Sequence, residues 1–479
     1  MEPHFIELEH GLAEMICGGA PKFSEQETNK AARHFADLVG VMLAAAGEPS
    51  VNALAALCLD ASGVSRSARI WGSKRRLSLR DSALVNGYAA HWHDFDDDET
   101  DITMAHLTVS AMTAAAVAGD SRPGISGAAV LHAYLMGTEL AMLIGKLINP
   151  SHYVRGWHAT ATLGTFAACA AAGRLLNLNA DGMRNALGIA ASLASGIRSN
   201  FGSHAKPLQV GEAVAKGVFA AESAAAGLHS TPGSLLGPQG YIAIQGGELT
   251  RLQMVVQSFG KPYGFSNAGM IIKAYPCCTA SHSAIWGVLE LMRAHGIPSS
   301  EIDRIVCNID PGVFGILIYD RPRTPVEAKF SLPYALAVAA VFGGVDISAF
   351  AGATLDDPAV RNMMNRVEAV HGNSLPRGPS GISVSSRVAL ILRDGTRVET
   401  YCEAIPGSAA NPLSDAALLA KFKACTKELI SERRAEEVFA HLLASGECDD
   451  FSKFLDKLML ATVPFTQVRP AAFRSSEDA

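Results

Sequence analysis

Long alanine-rich apolar runs constrain this chain more than any other feature. Ala111–Ala118 and Ala167–Leu176 are built from the residue with the highest intrinsic helix propensity, on side chains too short to hold neighbouring backbones apart. Hydrophobic residues make up 49% of the chain and aromatics only 7%, so the interior is filled by Ala, Leu, Val and Ile. Such a chain buries its apolar surface by packing helix on helix. At 479 residues it is long enough for two or three domains with separate cores. The most apolar long stretch, Ala128–Ile148, carries His132, Glu139 and Lys146. Those groups are costly in lipid, so the stretch reads as a buried helix and no membrane association is expected.

From about Phe23 to about Gly247 the chain reads as successive helices separated by Gly, Pro and Ser. Then the texture changes. Glu301–Ile309, Ile382–Leu392 and Thr396–Cys402 are strand-like, and Asp394-Gly395 between the last two is a hairpin signal because both residues tolerate positive φ. Asp357-Pro358 begins a helix, with Asp as N-cap and Pro at the first helical position. Beyond about Pro406 the chain is helical again through Leu460, before a polar tail, Arg474–Ala479. The expected fold is therefore mainly α: a large all-helical domain built from both chain ends (1–267 and 405–479), with a smaller α+β lid domain inserted at 268–404. The cleft between two such domains is the default ligand site.

Net charge is −6, and no stripe of Lys and Arg marks a nucleic-acid footprint. The acidic start, Met1–Glu7, lacks the basic-then-apolar layout of a signal peptide. Nine scattered cysteines suggest neither a disulfide framework nor a structural zinc site, so a reducing cytoplasm is the expected compartment. There is no G-x-S-x-G elbow, P-loop or G-x-G-x-x-G.

Against this charge-poor background, residues 91–101 (His-Trp-His-Asp-Phe-Asp-Asp-Asp-Glu-Thr-Asp) pack two imidazoles and six carboxylates together. Something must offset that charge. Asp97 through Asp101 satisfies the DDxxD pattern by which helical terpenoid synthases hold magnesium diphosphate, and hard oxygen ligands suit Mg²⁺. No second acidic cluster completes such a site, so a solvated acidic loop at Asp98–Asp101 is the favoured reading. A metal site using His91, His93 and His106 is disfavoured because residues two apart do not share a helix face. No metal is expected.

Three later segments repeat one design. Gly156-Trp157-His158 precedes a helix starting near Ala159, and His204-Ala205-Lys206-Pro207 precedes another, with Pro207 at its first position. Lys273-Ala274-Tyr275-Pro276 precedes a third, expected from about Cys277 to His295. Each sets a cationic or titratable side chain at a helix N-terminus, where free N–H groups already favour anions. Either the three converge on a small polycarboxylate or each merely caps its own loop. In Tyr319-Asp320-Arg321-Pro322-Arg323, Arg321 is suited to gripping a carboxylate and Tyr319 to donating a proton; an ordinary surface turn is the plainer alternative. Cys277 and Cys278 lack an adjacent base.

In order and spacing these segments resemble the MmgE/PrpD family, which includes 2-methylcitrate dehydratases, cis-aconitate decarboxylases and iminodisuccinate epimerases. The matching residues are Asn86-Gly87, His93 through Asp97, Gly156-Trp157-His158, Lys206-Pro207, Lys273 with Tyr275-Pro276, Cys278, His282 and Tyr319. The similarity runs from about residue 25 to about residue 465. It implies a homodimer of helical domain plus lid with no metal or organic cofactor. It also implies a pocket of Asp94, His106, His158, Lys206, Lys273 and Tyr319. The chain departs from the pattern in one place: His106-Leu107-Thr108 stands where the family usually shows His-Pro-Ser, after a somewhat longer segment from Asp94.

Removing a proton next to a carboxylate builds charge on that carboxylate, a task for Lys206 and Lys273. His158 and His106 suit proton transfer, Asp94 would orient or balance an imidazole, and Tyr319 would protonate carbon or polarise a leaving group. The expected function is a cofactor-independent lyase acting on a small di- or tricarboxylate, by dehydration or decarboxylation. Epimerisation alpha to a carboxylate is the alternative, since Pro311 through Arg321 and Lys329-Phe330-Ser331 look similar to the iminodisuccinate branch. A magnesium-dependent terpenoid synthase is a remote third.

Overall fold

A computed structural model describes residues 3–19, 23–58, 66–267 and 269–458; the polar tail Arg474–Ala479 lies outside the described residues. The chain is mainly helical. The alanine-rich helices form its centre, and all fourteen residues of Leu107–Asp120 are buried. So is nearly all of Ala159–Leu175, which packs against Leu107–Asp120, Gly127–Ile148 and Ala205–Ala225. Gly127–Ile148 is long and apolar enough to cross a membrane, but 83% of its apolar window is buried inside the fold, as a core helix requires.

One hydrophobic core runs from Leu12 to Leu458 and takes Leu418, Phe422, Phe439 and Phe451 from the C-terminal helices, so both chain ends meet in it. A second core lies between those stretches, from Cys277 to Leu390. It is organised by a four-stranded sheet in the order Val367–His371, Ile302–Ile309, Ser386–Leu392, Arg397–Cys402. The first pair is parallel and the others antiparallel. The expected hairpin forms at Asp394-Gly395, with Gly395 at φ +89°. Helix His282–His295 packs on its strands, and Leu332–Phe342 packs on that helix. Asp357 caps Pro358–Met364 as its sequence indicates.

Several boundaries differ from expectation for local reasons. A short hairpin, Ser67–Arg69 with Arg76–Ser78, interrupts the helical half. It is pinned by Asn86, whose side chain accepts from Trp71 N and donates to Arg69 O. The third strand begins at Ser386, four residues later than its hydrophobicity suggests, because Ile382 and Val384 turn into a cavity. The helix expected from Cys277 starts at His282, after a single 3₁₀ turn. Pro207 occupies the third position of Ala205–Ala225, still within the first turn, where its missing N–H costs nothing.

Close helix approach has a measurable consequence. A Cβ on Gly217 would lie 2.5 Å from the Thr165 carbonyl oxygen and 2.6 Å from the Ala168 Cβ. Gly217→Ala therefore sets a helix-propensity gain of about 1 kcal/mol against an overpacking cost of about 1–3 kcal/mol, and destabilisation wins. Gly11, in Pro3–Cys17, has nothing within 4 Å of its added Cβ, so Gly11→Ala is expected to raise the thermal unfolding midpoint while Gly217→Ala lowers it. A Gly217→Ala midpoint at or above that of the parent would contradict this packing.

Candidate active site

The helical half brings four helix ends to one place. Leu107–Asp120, Ala159–Leu175 and Ala205–Ala225 present their N-termini, and Leu79–Trp92 its C-terminus. His106 and His158 hold the N-cap positions of the first two, positions usually given to Ser, Thr, Asp or Asn. Neither caps its helix with its side chain, so both imidazoles are available to the cavity in front of them. Lys206 stands in the first turn of the third helix, and His91 in the last turn of the fourth. The expected convergence of cationic helix starts thus occurs with Leu107–Asp120 as its third member. Lys273 arrives instead from the end of the short strand Met270–Ile271.

These side chains are tied together by Asp94. Its Oδ1 accepts from Lys206 Nζ at 2.9 Å and from Lys273 Nζ at 2.9 Å, and its carbonyl oxygen takes a second bond from Lys273 at 2.9 Å. Asp94 adopts φ +52°, a left-handed conformation that Asp and Asn tolerate far better than most residues. Lys206 Nζ also lies 2.8 Å from His91 Nε2. Asp96, fully buried, bridges two imidazoles, with its Oδ2 2.8 Å from His91 Nδ1 and 3.1 Å from His106 Nδ1. His158 Nδ1 is 3.0 Å from Gln209 Oε1.

Electrostatics divide the imidazoles. Burial and then Lys206 hold His158 well below the ordinary histidine range, so it is neutral. Burial likewise pushes His91 down to about 4, although Asp96 pulls the other way. For His106 burial opposes the charged form, but Asp96 outweighs it and the pKa rises. Burial works against the Asp94 charge too, and Lys206 and Lys273 reverse it, holding the carboxyl well below its usual value. For Lys273, burial is overcome by Asp94 and Asp98, which raise its pKa.

The resulting cavity encloses about 70 Å³ and is lined by Asp94, Asp98, His106, His158, Lys206 and Lys273, with Phe201, Phe330 and Ile382 among the apolar wall residues. A water needs about 10–15 Å³, so several waters or one small organic acid fit. Cys278 also lines it, but burial pushes its thiol up to about 12, which leaves it a poor nucleophile.

Two expected site residues lie elsewhere. The Tyr319 hydroxyl donates to the Phe201 carbonyl at 2.9 Å, and its ring fills the space beside Gly202, at φ +80°, where any Cβ would collide. Tyr319 thus braces the segment carrying Phe201 and does not line the cavity. Arg321 is exposed and likewise outside the lining. Conversely, Asp96 and His91 are part of the network although the sequence reading assigned them no role. The signal available was an imidazole in a last helical turn followed five residues later by a carboxylate.

The acidic run is not a solvated loop. Glu99 is fully buried, and its carboxylate accepts from the backbone N–H groups of Asp101, Ile102 and Thr103 at 2.9, 3.1 and 2.6 Å. Asp98-Glu99 pairs with Ile271-Met270 in a two-residue antiparallel ladder, which fixes the loop to the chain that carries Lys273. The DDxxD carboxylates diverge: Asp97 is held by His34 and Thr108, Asp98 faces the cavity, and Asp101 is half-buried beside Gly269. They do not form a magnesium clamp. His91, Asp94, Asp96 and His106 do offer four ligand atoms within 4.8 Å of one another, a set that shares only His91 and His106 with the disfavoured trio of histidines. His93 is not among them; it lies by Glu48 at 3.8 Å. Two lysine ammoniums already sit on His91 and Asp94, so the positive charge a divalent ion would bring is supplied by side chains.

Removing one cation from this arrangement leaves buried charge uncompensated, at a cost of roughly 3–5 kcal/mol. Lys273→Met is therefore expected to lower stability strongly. Asp94→Asn is expected to cost less in the Lys273→Met background than alone, because the Asp94–Lys273 contact is then already gone while the Lys206 contact is lost in either case. Denaturant unfolding of the two single variants and the double variant gives the coupling, and strict additivity would contradict a direct Asp94–Lys273 interaction.

Comparison with known proteins places the chain in a family. The model of the MmgE/PrpD N-terminal domain matches residues 11–249, and that of the MmgE/PrpD C-terminal domain matches residues 275–444. Cis-aconitate decarboxylase of Homo sapiens is 27% identical over 400 residues, covering 81% of this chain and 81% of its own length. The enzyme of that name from Mus musculus is 25% identical over 405 residues, covering 81% and 80%. That of Aspergillus terreus (strain NIH 2624 / FGSC A1156) is 25% identical over 425 residues, covering 82% and 84%. With both halves of the chain matched by the family's two domains, this protein belongs to the MmgE/PrpD family and is an enzyme of the lyase type.

Proposed function

We propose that the cavity removes a carboxyl group or water from a small di- or tricarboxylate through a carbanion-like intermediate, with no organic cofactor and in a homodimer. The observation that carries this reading is the placement of His158 and His106, whose pKa values are driven in opposite directions, beside two fixed ammoniums. Lys206 and Lys273 hold the substrate carboxylate on which negative charge accumulates, and the three helix N-termini add to that potential. His158, uncharged, is able to accept a proton from carbon. His106 carries one to deliver, either to carbon after CO₂ leaves or to a departing hydroxyl. Two titratable groups of one kind, driven apart by their surroundings, are the usual mark of a divided acid–base pair. The cis-aconitate decarboxylases similar to this chain support decarboxylation as one of the two outcomes.

Incubation in D₂O with a panel of small polycarboxylates, followed by proton NMR, tests the reading. Exchange, elimination or CO₂ release is expected with at least one acid and is expected to survive EDTA. A silent panel, or activity abolished by EDTA, would count against it. Once a substrate is in hand, Lys273→Met should raise KM and His158→Gln should chiefly lower kcat.

The Asp96–His106 pair sets a pH dependence. A protonated His106 is present below its raised pKa and lost as pH rises through it. Asp96→Asn removes the carboxylate that raises that pKa, so the alkaline limb of the kcat/KM profile is expected to move to lower pH. An unmoved limb would show that His106 is not the group being titrated.

A further inference from the structure

Three basic side chains serve the cavity: Lys206, Lys273 and His106, whose pKa Asp96 raises. Three carboxylates are set against them. Asp94 lies under both lysines, Asp96 lies behind His106, and Asp98 stands on the cavity wall. Both lysines and His106 thus already face carboxylates before any substrate arrives. That arrangement is unexpected for a pocket built to bind three carboxylates.

Asp98 differs from the other two acids. Asp94 and Asp96 have cationic or imidazole partners in direct contact. Asp98 Oδ1 accepts only the Glu99 backbone N–H at 2.9 Å among the described bonds, with the Thr279 hydroxyl beside it. It remains ionised: burial opposes its charge, but His106 and Lys273 hold its pKa below the usual range. Its backbone is held in the ladder with Ile271, and its neighbour Glu99 is locked by three backbone N–H groups. A second acceptor lies nearby: Asp94 Oδ2 is buried, and among the described residues no donor reaches it. A substrate carboxylate placed against this wall would meet a fixed negative charge. A hydroxyl or amino group there would find acceptors waiting, and a site whose buried acceptors need a donor strongly rejects ligands that lack one.

We propose that Asp98 is the specificity-determining residue of this cavity, selecting a dicarboxylate that bears a hydroxyl or amino donor over a tricarboxylate. The inference rests on the polycarboxylate reading above and narrows it. Donor-bearing acids keep two carboxylates for Lys206 and Lys273 and turn the donor toward Asp98.

The test is binding, which needs no turnover. NMR titrations of the full-length protein with malate, aspartate, succinate and tricarballylate are compared for the parent and Asp98→Asn. Asn still accepts the Glu99 N–H, and a thermal melt checks that the variant is folded. The parent is expected to bind malate or aspartate at least about tenfold more tightly than tricarballylate, the order expected for one uncompensated charge nearby. Asp98→Asn should erase that preference chiefly by tightening tricarballylate. Preference for malate over succinate identifies a hydroxyl as the donor, and preference for aspartate an amine; either supports the proposal. Asp98→Ala, which removes the acceptor as well as the charge, should also weaken the donor-bearing acid. Tricarballylate binding as tightly as malate in the parent, or an unchanged ratio in Asp98→Asn, overturns the assignment of Asp98 and leaves the lyase reading standing. Failure of the parent and both variants to bind any of the four acids overturns both.

Discussion

A single carboxylate oxygen holding two ammoniums is the interaction on which the rest of this site depends. Alone in the interior, Asp94, Lys206 and Lys273 would each be costly to keep charged. Together they satisfy one another, and the arrangement joins separate parts of the chain: the loop after Leu79–Trp92, the start of Ala205–Ala225 and the segment leaving Met270–Ile271. The left-handed backbone at Asp94 lets its carboxylate and its carbonyl both face Lys273. Every other functional side chain is positioned relative to that knot, His91 through Lys206 and His106 at 3.6 Å from the same Asp94 oxygen.

Around it, the fold uses helix ends for two purposes at once. Three N-termini supply oriented N–H groups, and two of their caps are histidines that leave capping undone. The same histidines then acquire opposite characters from their neighbours. Burial and a nearby ammonium keep one neutral against the pull of Gln209, while a buried aspartate raises the pKa of the other. Chemistry that needs both a proton acceptor and a proton donor is met by one residue type in two environments.

Much of this could be read in the sequence, and the division follows range of interaction. The alanine-rich helices, the Asp394-Gly395 hairpin and the Asp357 cap are local statements about propensity and turn chemistry, and they appear where expected. Asp94, His106, His158, Lys206 and Lys273 all face one cavity, and the resemblance had named them together. What escaped is the shape of the segment between Asp94 and His106. It is set by positive φ at Asp94 and Met104 and by pairing with Met270-Ile271, about 170 residues further on, neither of which leaves a local trace. For that reason the acidic run looked solvated, and Asp96 and His91 went unassigned. Tyr319 and Arg321 have suitable chemistry, but their placement depends on how the second core meets the helical body. There Tyr319 meets a backbone carbonyl before it can reach the cavity.

The short ladder formed by Asp98-Glu99 separates two duties that usually interfere. Successive residues of an extended strand point to opposite sides. Here Glu99 is turned inward to tie down the backbone, while Asp98 and Thr100 on either side of it line the cavity. The frame is carried by one residue and the ligand-facing surface by its neighbours. Glu99 keeps the loop in place whichever side chains its two neighbours present to the cavity. A scaffold of this kind can acquire new substrates by drift at two positions while its acid–base apparatus is inherited intact.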